Sequence, residues 1–172
     1  MQSSVLKGKR LLAVDDEPDI LAVLRDEVEN YGVNLDTATS YEIAIQKLSS
    51  YTYDLVILDI MGVRGFDLLE FAVTKGVPVV MLTAHALNPA SLKKSIELGA
   101  RAYVPKDQID NIVPFLEDVL TLSYESAWKS LFSRIGELFG MHFGPDWRKT
   151  EQEFWDSFEK SLELKESTII KS

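Results

Sequence analysis

Short apolar segments alternate with amphipathic segments along the first two thirds of the chain. The apolar segments are rich in β-branched residues and are mostly apolar on both faces, which is typical of strands in a parallel sheet covered on both sides. Five such strands are predicted: Arg10–Val14, Val33–Ala38, Leu55–Leu58, Val77–Leu82 and Ala102–Val104. The regular alternation of strand and helix indicates an α/β protein.

Each predicted strand is followed by a segment with a helical spacing of apolar side chains. Leu21, Leu24 and Val28 form such a stripe after the first strand. Asn88 and Pro89 begin the fourth helix with a capping side chain and a proline in the first turn. Five successive strand–helix units predict a flavodoxin-like, doubly wound fold with a five-stranded parallel sheet.

The last third of the chain has no strand pattern and contains all three tryptophans. Apolar side chains recur at helical spacing over 128–139 and again over 154–162. The segment 140–145 contains glycine and proline and is expected to separate the two helices. Thr150 and Glu153 match a capping box at the start of the second helix. We therefore predict a globular domain over residues 1–122 and a helical hairpin, here called the tail, over residues 123–172.

The tail carries more aromatic surface than the two helices of a hairpin can bury between themselves. Eight aromatic side chains lie between Trp128 and Phe158. Two-fold symmetric dimers are the commonest oligomers, so we predict a homodimer formed through the tail. Packing of the tail on residues 1–122 of the same chain is the alternative.

Polar side chains follow four of the five predicted strands at their carboxyl ends, where ligands gather in doubly wound sheets. Asp15 and Asp16 follow the first strand, Asp59 the third, Thr83 the fourth and Lys106 the fifth. Three carboxylates in one pocket repel one another, so they must take up protons or bind a cation. Oxygen ligands of this kind suit Mg²⁺. With a lysine and a hydroxyl to hold phosphoryl oxygens, the set indicates a phosphoryl-transfer site with a carboxylate nucleophile.

These residues lie in four strings that resemble the receiver domain of two-component response regulators. The strings are LLAVDDEPDI, YDLVILDIM, VPVVMLTAH and ELGARAYVPKD, and the resemblance covers residues 8 to 122. Each string alone is a weak signal, whereas their combination in this order is highly specific. The resemblance implies a phosphorylation-controlled signalling protein whose phosphodonor is a histidine kinase or a phosphotransfer protein.

The resemblance also implies a metal site. Asp59 would be the phospho-acceptor and would share a Mg²⁺ ion with the Asp pair. Asp16 would bind the ion directly, and Asp15 would help through the metal or its water. The backbone carbonyl of Met61 would complete the protein ligands.

Three further residues gain roles from the resemblance. Lys106 would pair with the carboxylate or with the phosphoryl group. Thr83 would be the switch hydroxyl, and Tyr103, three residues before the lysine, would be the switch aromatic.

Two departures from the family pattern concern loops around the pocket. The segment after Asp59 has no proline and reaches Gly65 after six residues rather than about eight, so its geometry is expected to differ. Lys106 is preceded by Pro105 and followed by Asp107, so the usual cis lysine–proline bond has no counterpart.

Simpler structural roles compete with the functional ones. An aspartate pair after a strand is often a helix cap, and Thr83 could satisfy backbone groups at its strand end. Tyr103 could be an ordinary aromatic of an edge strand. His85 is interpreted as a loop residue beside the site, and His142 as a helix-end residue without a functional role.

Two other functions remain open on the sequence. An aspartyl-phosphate phosphatase would share the nucleophile, but it needs a general acid two residues later, where Met61 cannot donate a proton. A degenerate receiver acting as a constitutive interaction module stays open because of the altered loop. Incorporation of phosphate from a small phosphodonor separates this module from the phospho-acceptor.

Composition narrows the possible partners. The net charge is −9, and the tail from Thr121 has seven basic against nine acidic residues, which argues against binding to nucleic acid. There are no cysteines, and no apolar run approaches the ~20 residues of a membrane helix. We therefore expect a cytoplasmic protein whose output is contact with another protein.

Overall fold

The computed structural model describes residues 4–84 and 88–171, with side chains up to Leu162. Five parallel strands form a single sheet in the order β2-β1-β3-β4-β5. They are β1 Arg10–Val14, β2 Asn34–Ala38, β3 Leu55–Asp59, β4 Val79–Thr83 and β5 Ala102–Pro105. The five-stranded parallel sheet predicted from the sequence is confirmed, with strand ends within two residues of the predicted ones.

Helices cover the sheet and then continue beyond it. They are α1 Pro18–Glu29, α2 Tyr41–Ser50, α3 Gly65–Thr74, α4 Pro89–Glu97, α5 Ile112–Thr121, α6 Tyr124–Phe143 and α7 Gln152–Lys171. Short 3-10 helices precede α5, at Lys106–Asn111, and α7, at Trp147–Glu151. Asn88 begins α4 as predicted, since its side chain accepts a 2.8 Å hydrogen bond from the Ser91 N–H.

The central strands bring the predicted site residues to one edge of the sheet. Every residue of β3 and β4 is buried, and β3 pairs with β1 on one side and β4 on the other. The register places Val14 beside Leu58 and Asp59 beside Leu82. Asp15, Asp59 and Thr83 therefore lie near one another at the carboxyl ends of neighbouring strands.

The tail is a helical hairpin, as its periodicity predicted, but two local predictions were wrong. Helix α6 continues through Gly140 to Phe143, so the break before the 3-10 helix is confined to residues 144–146. Thr150 lies inside the 3-10 helix that leads directly into α7. A capping residue needs extended backbone, so Thr150 and Glu153 do not form a capping box.

The tail packs on α4, β5 and α5 of the same chain, a surface here called the α4-β5-α5 face. Trp128 is fully buried, and its indole N–H donates to the Ala100 carbonyl at 3.0 Å. The Tyr124 hydroxyl donates to the carbonyl of Ile96 at 3.2 Å. The aromatic surface from which a dimer was predicted is thus largely buried within one chain. The homodimer stays a prediction, but this packing removes its main physical argument.

Candidate functional site

Asp15 is the buried centre of an acidic pocket beyond β1. Its side chain is 2% exposed. Its Oδ1 accepts a 2.8 Å hydrogen bond from the Glu17 N–H, which fixes the turn into α1. Its Oδ2 lies 2.9 Å from the Nζ of Lys106, the first residue after β5. Asp15 is thus held from two sides, by its own turn and by the lysine across the pocket.

Asp16 and Glu17 extend the acidic pocket toward solvent. Carboxylate oxygens of Asp15, Asp16 and Glu17 all lie within 4.8 Å of one another, close enough to share one metal ion. Glu17 also lies 3.7 Å from the Nζ of Lys106. The sequence interpretation did not include Glu17, although its position directly after the aspartate pair could have suggested it.

Asp59 lies on the other side of the same lysine. Its side chain is buried, and its Oδ1 is 3.4 Å from Lys106 Nζ. Burial, followed by the negative charge of Asp15, raises the pKa of Asp59 to about 6, although Lys106 opposes the shift. Burial likewise raises the pKa of Asp15.

Lys106 is the counterion of the whole pocket. Burial alone would lower the pKa of this lysine, but its contact with Asp15 and the charge of Asp59 outweigh burial and raise the pKa. One ammonium group therefore faces several carboxylates. Negative charge remains in excess, which is the condition for attracting a cation.

Thr83 contributes a buried hydroxyl that makes no hydrogen bond with the described residues. Its side chain is fully buried at the end of β4, and its Oγ1 has no hydrogen-bond partner among the described residues. A buried polar atom without a partner is unfavourable unless a ligand or a water supplies one. Within the described residues, the Thr83 hydroxyl therefore makes no hydrogen bond to the backbone at its strand end, which was the simpler role considered for it.

The loop after β3 is built around two glycines. Gly62 has a φ of +82°, and a Cβ there would lie 2.3 Å from Asp16 Oδ2. A Cβ at Gly65 would lie 2.1 Å from the Asp59 carbonyl oxygen. Because the first turn of α3 presses against the end of β3, a glycine is needed six residues after Asp59. Met61 sits on this loop with its side chain 55% exposed.

Tyr103 is buried, although β5 is an edge strand. Its hydroxyl lies 2.7 Å from Ser91 Oγ in α4, and its ring packs edge-to-face on Phe139 of the tail at a centroid distance of 6.0 Å. Tyr103 therefore touches both α4 and α6. The interpretation of this residue as an ordinary edge-strand aromatic does not account for these two contacts.

His142 is a residue of the site region that sequence reasoning missed. It lines a cavity of about 220 Å³ together with Thr83 and Lys106, and its Nε2 lies 3.5 Å from Asp107 Oδ2. No local sequence signal places it there, because its position depends on how the tail docks. The other histidine, His85, lies outside the described residues.

Solved structures of receiver domains share the fold of this chain. The response regulator TrrA of Thermotoga maritima, solved in complex with Mg²⁺–BeF, is 35% identical, with a TM-score of 0.57 over 65% of this chain and 99% of that chain. The receiver domain of NtrX from Brucella abortus is 28% identical, with a TM-score of 0.57 over 66% of this chain and 99% of that one. Fold and acidic pocket together define a receiver-type signalling domain.

The sequence comparison assigns the family. The response regulator receiver domain family matches residues 11–116, so the chain belongs to the receiver-domain family of two-component response regulators. Transcriptional regulatory protein ResD of Bacillus subtilis is 33% identical over 126 residues, which are 69% of this chain and 52% of ResD. Transcriptional regulatory protein CpxR of Escherichia coli K12 is 34% identical over 100 residues, or 56% of this chain and 42% of CpxR. The chain thus spans about half or less of these curated relatives.

Within the part of the chain that the structure describes, every helix is too short or too polar to cross a membrane.

The family match ends at residue 116, and α5 and α6 are joined by only Leu122 and Ser123. The division of the chain at residue 122 therefore stays a prediction.

Proposed function

We propose that Asp59 accepts a phosphoryl group in a Mg²⁺-dependent reaction and that the chain is a phosphorylation-controlled switch. The observation that carries the proposal is the placement of buried Asp59 and Asp15 at 3.4 and 2.9 Å from a single lysine. A buried carboxylate beside a cation and a partnerless hydroxyl has the groups needed to receive and hold phosphoryl oxygens.

Mg²⁺ fits the donor set of this pocket. Asp15, Asp16, Asp59 and the Met61 carbonyl would hold the ion, as hard oxygen ligands do. Asp16 is the stronger candidate for a direct ligand, because both oxygens of Asp15 are already engaged, by the Glu17 N–H and by Lys106. The ion would neutralise charge on the carboxylates and on the transferred group.

The side chains of the chain have distinct parts in the transfer. A carboxylate oxygen of Asp59 bonds to the phosphorus of the donor, and the bond from phosphorus to the donor breaks with its electron pair leaving on the donor. Lys106 binds one oxygen of the transferred group, and the Thr83 hydroxyl donates a hydrogen bond to another. Because Asp59 must attack as a carboxylate, its raised pKa favours neutral pH over acidic pH.

The tail is the proposed output element. When Thr83 turns toward a phosphoryl oxygen, Tyr103 moves into the space that Thr83 leaves, and its contacts with Ser91 and Phe139 change. The docked tail then loosens from the α4-β5-α5 face. A histidine kinase or a phosphotransfer protein would supply the phosphoryl group, and the partner of the released tail would be another protein or a second copy of this chain.

Intact-mass spectrometry tests the phospho-acceptor. Wild-type chain treated with acetyl phosphate and Mg²⁺ is expected to gain one phosphoryl group, and Asp59→Asn none. Asp67→Asn is the matched control, since Asp67 is an exposed carboxylate at the start of α3 that pairs with Arg64. A wild-type chain that stays unmodified with Mg²⁺ present would instead favour the degenerate interaction module.

A further inference from the structure

The end of helix α6 reaches the pocket in which the phosphoryl group would sit. A cavity of about 220 Å³ has Thr83 and Lys106 on its receiver side and His142 on its tail side. Lys106 also lies 3.4 Å from Asp59, so the cavity and the proposed phosphoryl site share this lysine. A cavity of this size has room for several water molecules, and Thr83, Lys106, Asp107 and His142 supply polar groups at its wall.

The packing of helix α6 places His142 at this cavity, with its side chain 39% exposed and near a carboxylate. One turn earlier in α6, the fully buried Phe139 packs on Tyr103 and stacks on Phe143 at a centroid distance of 5.7 Å. The imidazole Nε2 lies 3.5 Å from the carboxylate of Asp107, the residue that follows Lys106. A carboxylate near one ring nitrogen favours one orientation of an imidazole. The packing of α6 thus sets the position of His142, and Asp107 favours one orientation of its ring.

We propose that His142 is a positioning residue for hydrolysis of the phosphoryl group, supplied to the receiver site by the tail. It rests on the proposed function, because it requires phosphorylated Asp59. The imidazole holds a water molecule of the cavity against the phosphorus, while Lys106 and Thr83 hold the phosphoryl oxygens. Phosphorylation weakens the docking of the tail without abolishing it, so hydrolysis takes place in those chains whose tail is docked at that moment. The tail thereby sets the lifetime of the signal that it also reads out.

The step balances without any further reactant. The water oxygen bonds to phosphorus, and the bond between phosphorus and the Asp59 carboxylate oxygen breaks with its electron pair returning to the carboxylate. Both protons of the water stay with the phosphate that leaves. The aspartyl phosphate and water become free Asp59 and inorganic phosphate, and His142 ends the step unchanged.

Loss of phosphate from the full chain tests this role. The chain is phosphorylated with acetyl phosphate and Mg²⁺, the donor is removed, and the remaining phosphorylated fraction is followed by intact-mass spectrometry. His142→Ala is expected to lengthen the half-life about fivefold, the factor that one hydrogen bond in a transition state supplies. His142→Gln, which can still hold a water, is expected to stay within about twofold of wild type.

Met141→Ala is the matched control, because the neighbouring Met141 side chain is 79% exposed and lies outside the cavity. Thermal melting of each variant checks folding, and His142→Leu replaces the alanine variant if that one does not fold. An unchanged or shorter half-life in a folded variant without the imidazole overturns the role of His142 but leaves Asp59 as acceptor. A wild-type chain that takes up no phosphate overturns the proposed function, and this inference with it.

Discussion

The acidic pocket and the tail interface both adjoin strand β5, but they follow opposite physical rules. In the pocket, Asp15 and Asp59 are buried together and share one lysine, and burial raises the pKa of both. The negative charge of Asp15 raises the pKa of Asp59 further. In the interface, Trp128 and Phe139 are fully buried among other rings, and the indole N–H has its carbonyl partner. The pocket contains buried groups that repel one another, whereas the groups of the interface make favourable packing contacts and a hydrogen bond.

This difference separates the place where a ligand acts from the place where the tail gains its stability. In the pocket, buried carboxylates outnumber the single lysine, so the electrostatic free energy is sensitive to any added charge. A small charged ligand can therefore have a large effect there. The interface is stabilised by the burial of apolar surface. A charge at the pocket alters this stabilisation only if it changes how closely the tail packs. Tyr103 contacts Ser91 on one side and Phe139 on the other, and it is the residue through which the first region can influence the second.

Removing the main anchor of the interface should have the largest effect. Trp128→Ala deletes a fully buried ring and its hydrogen bond to Ala100, so the free energy of unfolding should fall by about 3–5 kcal/mol. Met141→Ala, at an exposed position of the same helix, should change it by less than about 0.5 kcal/mol. Urea denaturation followed by far-ultraviolet circular dichroism measures both. Equal stability of the two variants would mean that the tail does not dock on the receiver.

Removing charge from the pocket should stabilise the chain in a pH-dependent way. Asp59 has a pKa of about 6 in the folded chain and stays protonated up to about that pH, whereas in the unfolded chain it ionises near its ordinary pKa of 3.8. The stability that this proton contributes is complete below the unfolded pKa and is lost as pH rises through the folded one. Without Mg²⁺, Asp59→Asn should therefore stabilise the chain by about 2 kcal/mol at about pH 8 and have little effect at about pH 3.

Denaturation midpoints of the wild type and Asp59→Asn at both pH values check this sign. A stabilisation that is equal at the two pH values would show that it does not come from the carboxylate charge. Addition of Mg²⁺ should raise the midpoint of the wild type at the higher pH and so reduce the advantage of the asparagine variant.

The two aspartates that follow β1 should differ in their effect on metal affinity. Asp16→Ala should weaken Mg²⁺ binding about tenfold more than Asp15→Ala, if only Asp16 binds the ion directly. Calorimetric titration of the two variants and the wild type measures the affinities. Equal losses for the two variants would contradict the assignment of Asp16 as the direct ligand.

The sequence predicted the sheet and the convergence of the pocket because both depend on local periodicity. Residues after neighbouring parallel strands must share one edge, so Asp15, Asp59 and Thr83 could be grouped without coordinates. The sequence shows that Gly65 follows Asp59 sooner than is usual in the family. The reason, which is the contact of Gly65 with the Asp59 carbonyl, is visible only in the three-dimensional backbone.

Features that depend on docking of the tail could not be predicted in this way. The apolar stripes in α6 and α7 indicate which side chains are buried, but they do not indicate which surface covers them. A dimer and the α4-β5-α5 face were equally compatible with that pattern. The position of His142 beside Lys106 follows only from the second arrangement, and it was therefore missed.

Hydrogen exchange tests most directly the central claim that a phosphoryl group at Asp59 is read out by the tail. Amides of α6 should exchange about fivefold faster in the phosphorylated wild type than in the unphosphorylated chain, a modest coupling between two sites. Thr83→Ala should still take up phosphate but lose this difference, because Tyr103 no longer receives the signal. Exchange in α6 that is identical before and after complete phosphorylation of the wild type would contradict the account.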